Sequence, residues 1–161
     1  MGRTLPAGSL GAIVESMYKR PTRLTRLVVN GPIKLAVRLG LSPRGSQMLT
    51  VPGRKTGEPR TVPVNPLELD GATYLVAPRG NTNWSRNLRA AGEGELRVGR
   101  RRRRFRFDEI PDSEKLPPLR AYLERWEPET KSQFELGKDA PDEQLQEIAP
   151  LHPVFRLDFL D

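Results

Sequence analysis

QMLTVPGRKTGEPRTVPVNPLELDGATYLVA, residues Gln47 to Ala77, reads as strands joined by turns and decides the fold class. Gln47 to Val51 alternates in the manner of a short strand, and Pro52 to Pro59 is a turn-rich loop. Thr61 to Leu69 continues as a strand that carries Pro63 and Pro66, which places it at an edge or a bulge because proline has no N–H to give to a ladder. Asp70-Gly71 is a hairpin signal, since both central positions of that turn want positive φ, and it leads into a strand from Thr73 to Ala77.

The pattern continues downstream. Pro78 to Thr82 is a loop, and Thr82 stands where it can cap a short helix over Asn83 to Ala91. Glu95 to Val98 and Arg101 to Phe107 form a second hairpin turning at Gly99. Asp112 or Ser113 is expected to cap a helix running to Trp126, Asp142 to Ala149 is a further helix, and Val154 to Phe159 is a last strand. Upstream, Leu10, Ile13, Val14 and Met17 repeat at helical spacing, Thr22 can cap a second helix, and Pro32 opens a third segment through Leu39. The expectation is an α+β, mainly antiparallel chain. A helical N-terminal extension over 1–45 precedes a small barrel over 46–161 with inserted helices. The absence of strand–helix–strand alternation argues against a parallel dinucleotide-binding sheet.

Composition limits the chemistry. The 161 residues include no cysteine, so disulfides, thiolate metal sites and thiol nucleophiles are excluded, and His152 is the one histidine. No secretory signal pattern opens the chain and no apolar run reaches membrane-spanning length, so a cytoplasmic protein is expected. The net charge of +7 is uneven. Residues 1–60 hold 11 Lys and Arg against 2 Asp and Glu, whereas residues 112–161 hold 6 against 12. A basic first half attracts phosphates, carboxylates or an anionic bilayer, and the basic, amphipathic residues 8–41 suit peripheral contact with the last.

Two segments carry candidate chemistry. Gly53-Arg54-Lys55-Thr56-Gly57-Glu58-Pro59-Arg60 sets cations and a hydroxyl between glycines, a composition that suits an anion, although the Walker-type spacing is absent. It equally suits a solvated hairpin loop. Ala77-Pro78-Arg79-Gly80 followed by Asn83-Trp84-Ser85-Arg86-Asn87-Leu88 places a glycine loop before a helix N-terminus, where an anion can sit. Trp84 there suits either a flat ring or the core. The arginines from Arg100 to Arg104 alternate along a strand that also carries Phe105 and Phe107, so a solvated outer face over core phenylalanines is the simpler reading than a nucleic-acid stripe. His152 has no partner at catalytic spacing and reads as a structural hydrogen-bonder.

These same residues carry a family resemblance. Leu49-Thr50-Val51-Pro52-Gly53-Arg54-Lys55-Thr56-Gly57-Glu58-Pro59-Arg60, Pro63, Asp70-Gly71, Trp84-x-x-Asn87-Leu88 and the closing His152-Pro153-Val154-Phe155-Arg156-Leu157 resemble the deazaflavin-dependent nitroreductases of actinobacteria. The resemblance implies a split β-barrel of the flavin-binding type, and binding of coenzyme F420, whose phosphodiester and glutamate tail are anionic. It further implies that Arg54, Lys55, Thr56, Gly57 and Arg60 hold the phosphate and tail, that Pro63, Val64, Ala77, Pro78, Arg79 and Gly80 line the ring, and that Trp84, Asn87 and Leu88 close the pocket. The chain departs from that family at Ser85, where well-studied members have tyrosine, and in a C-terminal helical region that offers Tyr122, Trp126 and Phe134.

The function that follows is hydride transfer from reduced F420 to a small electron-poor acceptor: an enone, a quinone or a nitro compound. Ser85 and Tyr122 are the candidate proton donors beside solvent. The rival readings are a split barrel that binds deazaflavin, or flavin mononucleotide, without turnover, and a nucleic-acid-binding barrel. The resemblance also raises a homodimer, and no nucleic-acid partner is expected.

Overall fold

A computed structural model describes residues 35–36, 45–127 and 130–160. The N-terminal helical extension and the bilayer contact read from 8–41 lie, apart from Leu35, Ala36 and Gly45, outside those residues.

Seven strands form one antiparallel sheet: β1 (Gln47–Pro52), β2 (Pro59–Val64), β3 (Leu67–Leu69), β4 (Ala72–Val76), β5 (Glu93–Val98), β6 (Arg101–Glu109) and β7 (Val154–Phe159). Their order is β2-β1-β5-β6-β7-β4-β3. The single strand expected over Thr61 to Leu69 is thus two strands, and they lie at opposite edges of the sheet. Asn65-Pro66 makes the break, because proline cannot continue the ladder and holds the residue before it extended. A flat seven-stranded sheet would hold its edges about 29 Å apart, at about 4.8 Å per strand. Three Cα steps from Val64 to Leu67 span at most about 11 Å. The sheet therefore curls into an open barrel.

Curling creates an inside and an outside. Leu49 and Val51 of β1, Leu96 of β5, Phe105 of β6, Leu75 of β4 and Phe155 and Leu157 of β7 fill the inside. The outer face of β3, β4 and β7 is covered by helices, giving a second core of Leu67, Val76 and Val154 with Leu119, Leu123 and Trp126. Each fully buried Leu or Phe contributes roughly 1.5–3 kcal/mol, so both cores matter to stability. The hairpin at Asp70-Gly71 is realised, with φ of 51° and 77°.

Among the described residues of 45–160, four α-helices accompany the sheet: α1 (Asn83–Ala91), α2 (Leu116–Trp126), α3 (Lys131–Phe134) and α4 (Asp142–Ile148). The expected cap at Asp112 or Ser113 is not found. Those residues form a short 3-10 turn, and α2 begins at Leu116 with proline in its first turn, where a missing N–H does no harm. Thr82 does stand at the N-cap of α1, but its hydroxyl makes no capping bond.

Alternation along β6 is as expected. Phe105 is fully buried inside the barrel, while Arg104 reaches outward to Glu93 at 2.8 Å and Arg102 to Glu95 at 3.7 Å. Gly94 lies opposite Phe105. A Cβ there would meet the Phe105 ring at 2.8 Å and the Val51 side chain at 3.2 Å. We therefore expect Gly94→Ala to lower stability by about 1–3 kcal/mol through overpacking, read as a fall in the urea midpoint with an unchanged slope. Gly94→Ala combined with Phe105→Leu should destabilise by less than the sum of the two single changes.

Candidate functional site

The loop after β1 is closed on itself. The Gly53 N–H donates to the Glu58 carbonyl at 2.8 Å, and the Gly57 N–H donates to the Gly53 carbonyl at 2.7 Å. Gly57 has φ of 71°, which glycine adopts without strain. At Gly53 a side chain would press on Thr56 and the Glu58 carbonyl at 3.2 and 3.3 Å. The turn presents Arg54, Lys55, Thr56 and Arg60 to solvent. Arg60 meets Glu58 at 3.4 Å with both side chains exposed, a pair worth little in water.

The loop is docked on α1. Asn87, a buried residue of that helix, accepts at Oδ1 from the Arg54 backbone N–H at 3.2 Å and from its Nη1 at 2.9 Å. The Oδ1 of Asn83 lies 3.5 Å from Nη2 of the same arginine. The two segments singled out in the sequence are therefore one structural unit. The N-terminus of α1 carries no acidic residue in its first turn and no side-chain cap, and Thr82 Oγ1 is buried with no partner among the described residues. Its leading N–H groups thus keep their positive end for an anion.

A second loop enters α1 and is fixed from β7. The Ala77 N–H donates to the Pro153 carbonyl at 2.9 Å, and Nδ1 of His152 lies 3.1 Å from the Ala77 carbonyl. A carbonyl only accepts, so Nδ1 carries the proton. Gly80 has φ of 79°, and a Cβ there would lie 3.1 Å from the Leu151 carbonyl. Arg89 closes the unit. It forks onto both oxygens of Glu109 at 2.7 and 2.6 Å and reaches Asn81 at 2.7 Å. Those hydrogen bonds hold the Glu109 carboxyl below its ordinary range.

The structure sorts the residues drawn from the resemblance. Arg54, Lys55, Thr56, Gly57, Arg60 and Arg79 are exposed, and Trp84 is half-buried over the barrel interior with its ring 5.9 Å from that of Phe155. Leu88 and Ala77 are fully buried, so their side chains serve packing. Pro63 and Val64 pair with Met48 and Gln47 and, being consecutive on β2, face opposite sides of the sheet. Val62 shares the inward row with Val64 and escaped notice in the sequence, where Pro63 drew the eye. Asn81, Arg89 and Glu109 lie outside both candidate segments, and Asn83 stands in the second without a role of its own. Only Asn83 had a signal, standing one helical turn before Asn87.

The two candidate proton donors are both buried. Ser85 is fully buried and donates to the Thr82 carbonyl at 2.9 Å. Tyr122 is 3% exposed, with its ring 4.6 Å from that of Trp126, and burial pushes its hydroxyl up to about 12 while Asn65 hydrogen-bonds it. A groove of about 250 Å³ lined by Thr50, Glu93, Glu95 and Arg104 lies on the outer face of the sheet and includes none of the expected residues. Among the described residues no group of three His, Asp or Glu could hold a metal, and no helix is long and apolar enough to cross a membrane.

A family model described as F420H2-dependent quinone reductase matches residues 24–140. The chain belongs to that family. It is an F420-dependent oxidoreductase, and its cofactor is coenzyme F420. Among solved structures it resembles an F420-H2-dependent reductase, FDR-A, at 21% identity over 71% of this chain and 95% of that one, with a TM-score of 0.50. It also resembles a domain-swapped dimer at 19% identity over 86% and 100%, with a TM-score of 0.52. A third is a 5-nitroimidazole antibiotic resistance protein of Bacteroides thetaiotaomicron at 12% identity over 80% of each chain, with a TM-score of 0.51. These likenesses establish the split-barrel fold. No curated protein matches the chain.

His152 yields a prediction in pH. Burial pushes its imidazole down to about 4; the Ala77 hydrogen bond opposes that shift, and the neighbouring Lys115 charge adds a smaller push downward. The unfolded chain, with histidine near its ordinary value, binds the proton first, so stability falls as pH drops from about 6.5 toward 4, by an amount on the order of 3 kcal/mol over the whole window. With a single histidine in the chain, His152→Gln should flatten the fall between pH 6.5 and 5 in denaturant titrations. A slope that survives the substitution would assign the proton uptake to carboxylates.

Proposed function

We propose that the protein transfers a hydride from reduced F420 to a quinone-class acceptor. In this reading Lys55 and Arg60, with Thr56 and the backbone at Gly57, hold the anionic phosphodiester and tail. The loop from Ala77 to Gly80 and Trp84 border the ring. The observation that carries the reading is the cationic loop docked by Asn87 beside an uncapped helix N-terminus. Those groups fit an anionic ligand: among the described residues Lys55 makes no ion pair, Arg60 meets only the weak Glu58 contact, and Thr82 gives the leading N–H groups of α1 no side-chain cap.

Bound and reduced, the deazaflavin supplies the hydride. The chain supplies position and charge. Arg79 and Arg86, both exposed near the start of α1, add positive potential where negative charge develops on an acceptor oxygen. Ser85 and Tyr122 are committed to packing and internal hydrogen bonds, so the proton comes from solvent. Enones and nitro compounds are further electron-poor acceptors of the same chemistry, and the family description favours the quinone.

Fluorescence titration with F420, run beside flavin mononucleotide, tests the binding side. F420 should bind at least tenfold tighter, a gap of about 1.4 kcal/mol. Lys55→Ala with Arg60→Ala should weaken F420 by a similar factor and flatten its salt dependence, because charge-assisted contacts are lost. Equal affinities for the two coenzymes, or an unaltered double variant, would refute the tail site. Oxidation of reduced F420 by a panel of quinones, enones and nitroaromatics then separates an enzyme from a carrier, since a carrier turns over none. Tyr122→Phe should leave turnover of the accepted quinone unchanged and lower stability by about 1 kcal/mol through the lost Asn65 hydrogen bond.

A further inference from the structure

We propose that Asn87 is a positioning residue that latches the cationic loop to α1 through Arg54, and that this pair does not itself contact the cofactor. The inference rests on the reading of Gly53–Arg60 as the site of the anionic tail.

Asn87 lies on the inward face of α1 between two fully buried residues, Ser85 and Leu88. A buried amide oxygen needs a donor, and here both donors come from one residue 33 positions away. A carbonyl oxygen has two lone pairs, so one atom can accept both bonds. The bond from the Arg54 backbone N–H fixes the main chain of the loop. The bond from Nη1 fixes the side chain, which then lies along α1 toward Asn83. The loop is internally closed by its two backbone hydrogen bonds, so holding Arg54 holds Lys55 with it.

This division of labour explains why Arg54 differs from its neighbours. Among the described residues Lys55 makes no ion pair, and Arg60 meets only Glu58. These cations are available to a ligand, whereas Arg54 is engaged by two asparagines. Setting the loop before the ligand arrives removes an ordering cost from binding.

The test begins on the full-length protein without cofactor. Amide hydrogen exchange at Arg54 should quicken at least tenfold in Asn87→Ala and stay near the parent value in Asn87→Asp, which keeps an acceptor oxygen, while the amides of β5 and β6 are unchanged. F420 titrations follow. Asn87→Ala and Arg54→Ala should each weaken binding five- to tenfold, the double variant should be no weaker than either, and Asn87→Asp should restore most of the loss. Additive losses would show that each residue contacts the cofactor independently and would overturn the latch, as would unchanged Arg54 exchange in Asn87→Ala. If Lys55→Ala with Arg60→Ala weakens binding and Asn87→Ala does not, the latch alone falls. If the cation variant binds normally, the tail site falls and the positioning role with it. Should Asn87→Ala fail to fold, the exposed Arg54→Ala and the Asn87→Asp variant carry the same comparison.

Discussion

The crossing at Asn65-Pro66 is the constraint on which the rest depends. Two residues join strands at opposite edges of a seven-stranded sheet, so the sheet has to close. Closure places Asn65 at a junction held from two sides. Its Oδ1 accepts from Ser46, just before β1, at 2.7 Å, and Tyr122 of α2 hydrogen-bonds it from the second core. The seam thus couples the barrel to the helices on its flank. It also removes the problem of two long free edges, since β3 is only Leu67–Leu69 and β2 begins with a proline.

Closure then decides which surfaces remain for a ligand. The interior is filled by leucine, valine and phenylalanine, the outer face of β3, β4 and β7 is covered by α2 and its neighbours, and the outer face of β5 and β6 is laced by Arg–Glu pairs. One end of the barrel gathers the loop after β1, the loop into α1, and the turn before β7. Asn87, His152 and Arg89 bind these pieces together by hydrogen bonds that each link distant parts of the chain. The end is polar and cationic because its loops are, and those three side chains tie its pieces to one another.

Local chemistry made much of this legible. The Asp70-Gly71 turn, the alternation along β6 and the Gly-rich cationic loop are encoded by neighbours in sequence, and each was readable. The splitting of Thr61 to Leu69 was not, because Pro66 announces an interruption without saying where the chain goes next. The start of α2 was misplaced for a related reason: Asp112 and Ser113 are good caps, but Pro117 and Pro118 confine the helix start more strongly. The burial of Ser85, Tyr122 and Leu88 was hidden because composition shows that a residue bears a hydroxyl or a methyl and not which way a helix turns it. The Arg54–Asn87 contact joins two segments that the sequence marks separately and never marks as a pair.

The buried hydroxyls bear on what the protein contributes to its reaction. A hydride carrier brings its own reactive carbon, so the fold need not provide a nucleophile or a strong base. In the described chain Ser85 and Tyr122 are enclosed, and burial holds His152 neutral through the physiological range. What it provides instead is fixed geometry and positive charge. Positive groups set in place before the reaction stabilise developing negative charge without reorganising, and their effect grows where water is excluded. In the proposed reading the Asn87-held loop and the N-terminus of α1 supply that positive charge. In that same reading, selectivity for the acceptor follows from which ring can lie beside Trp84 at the barrel mouth, a property of shape and not of acid–base chemistry.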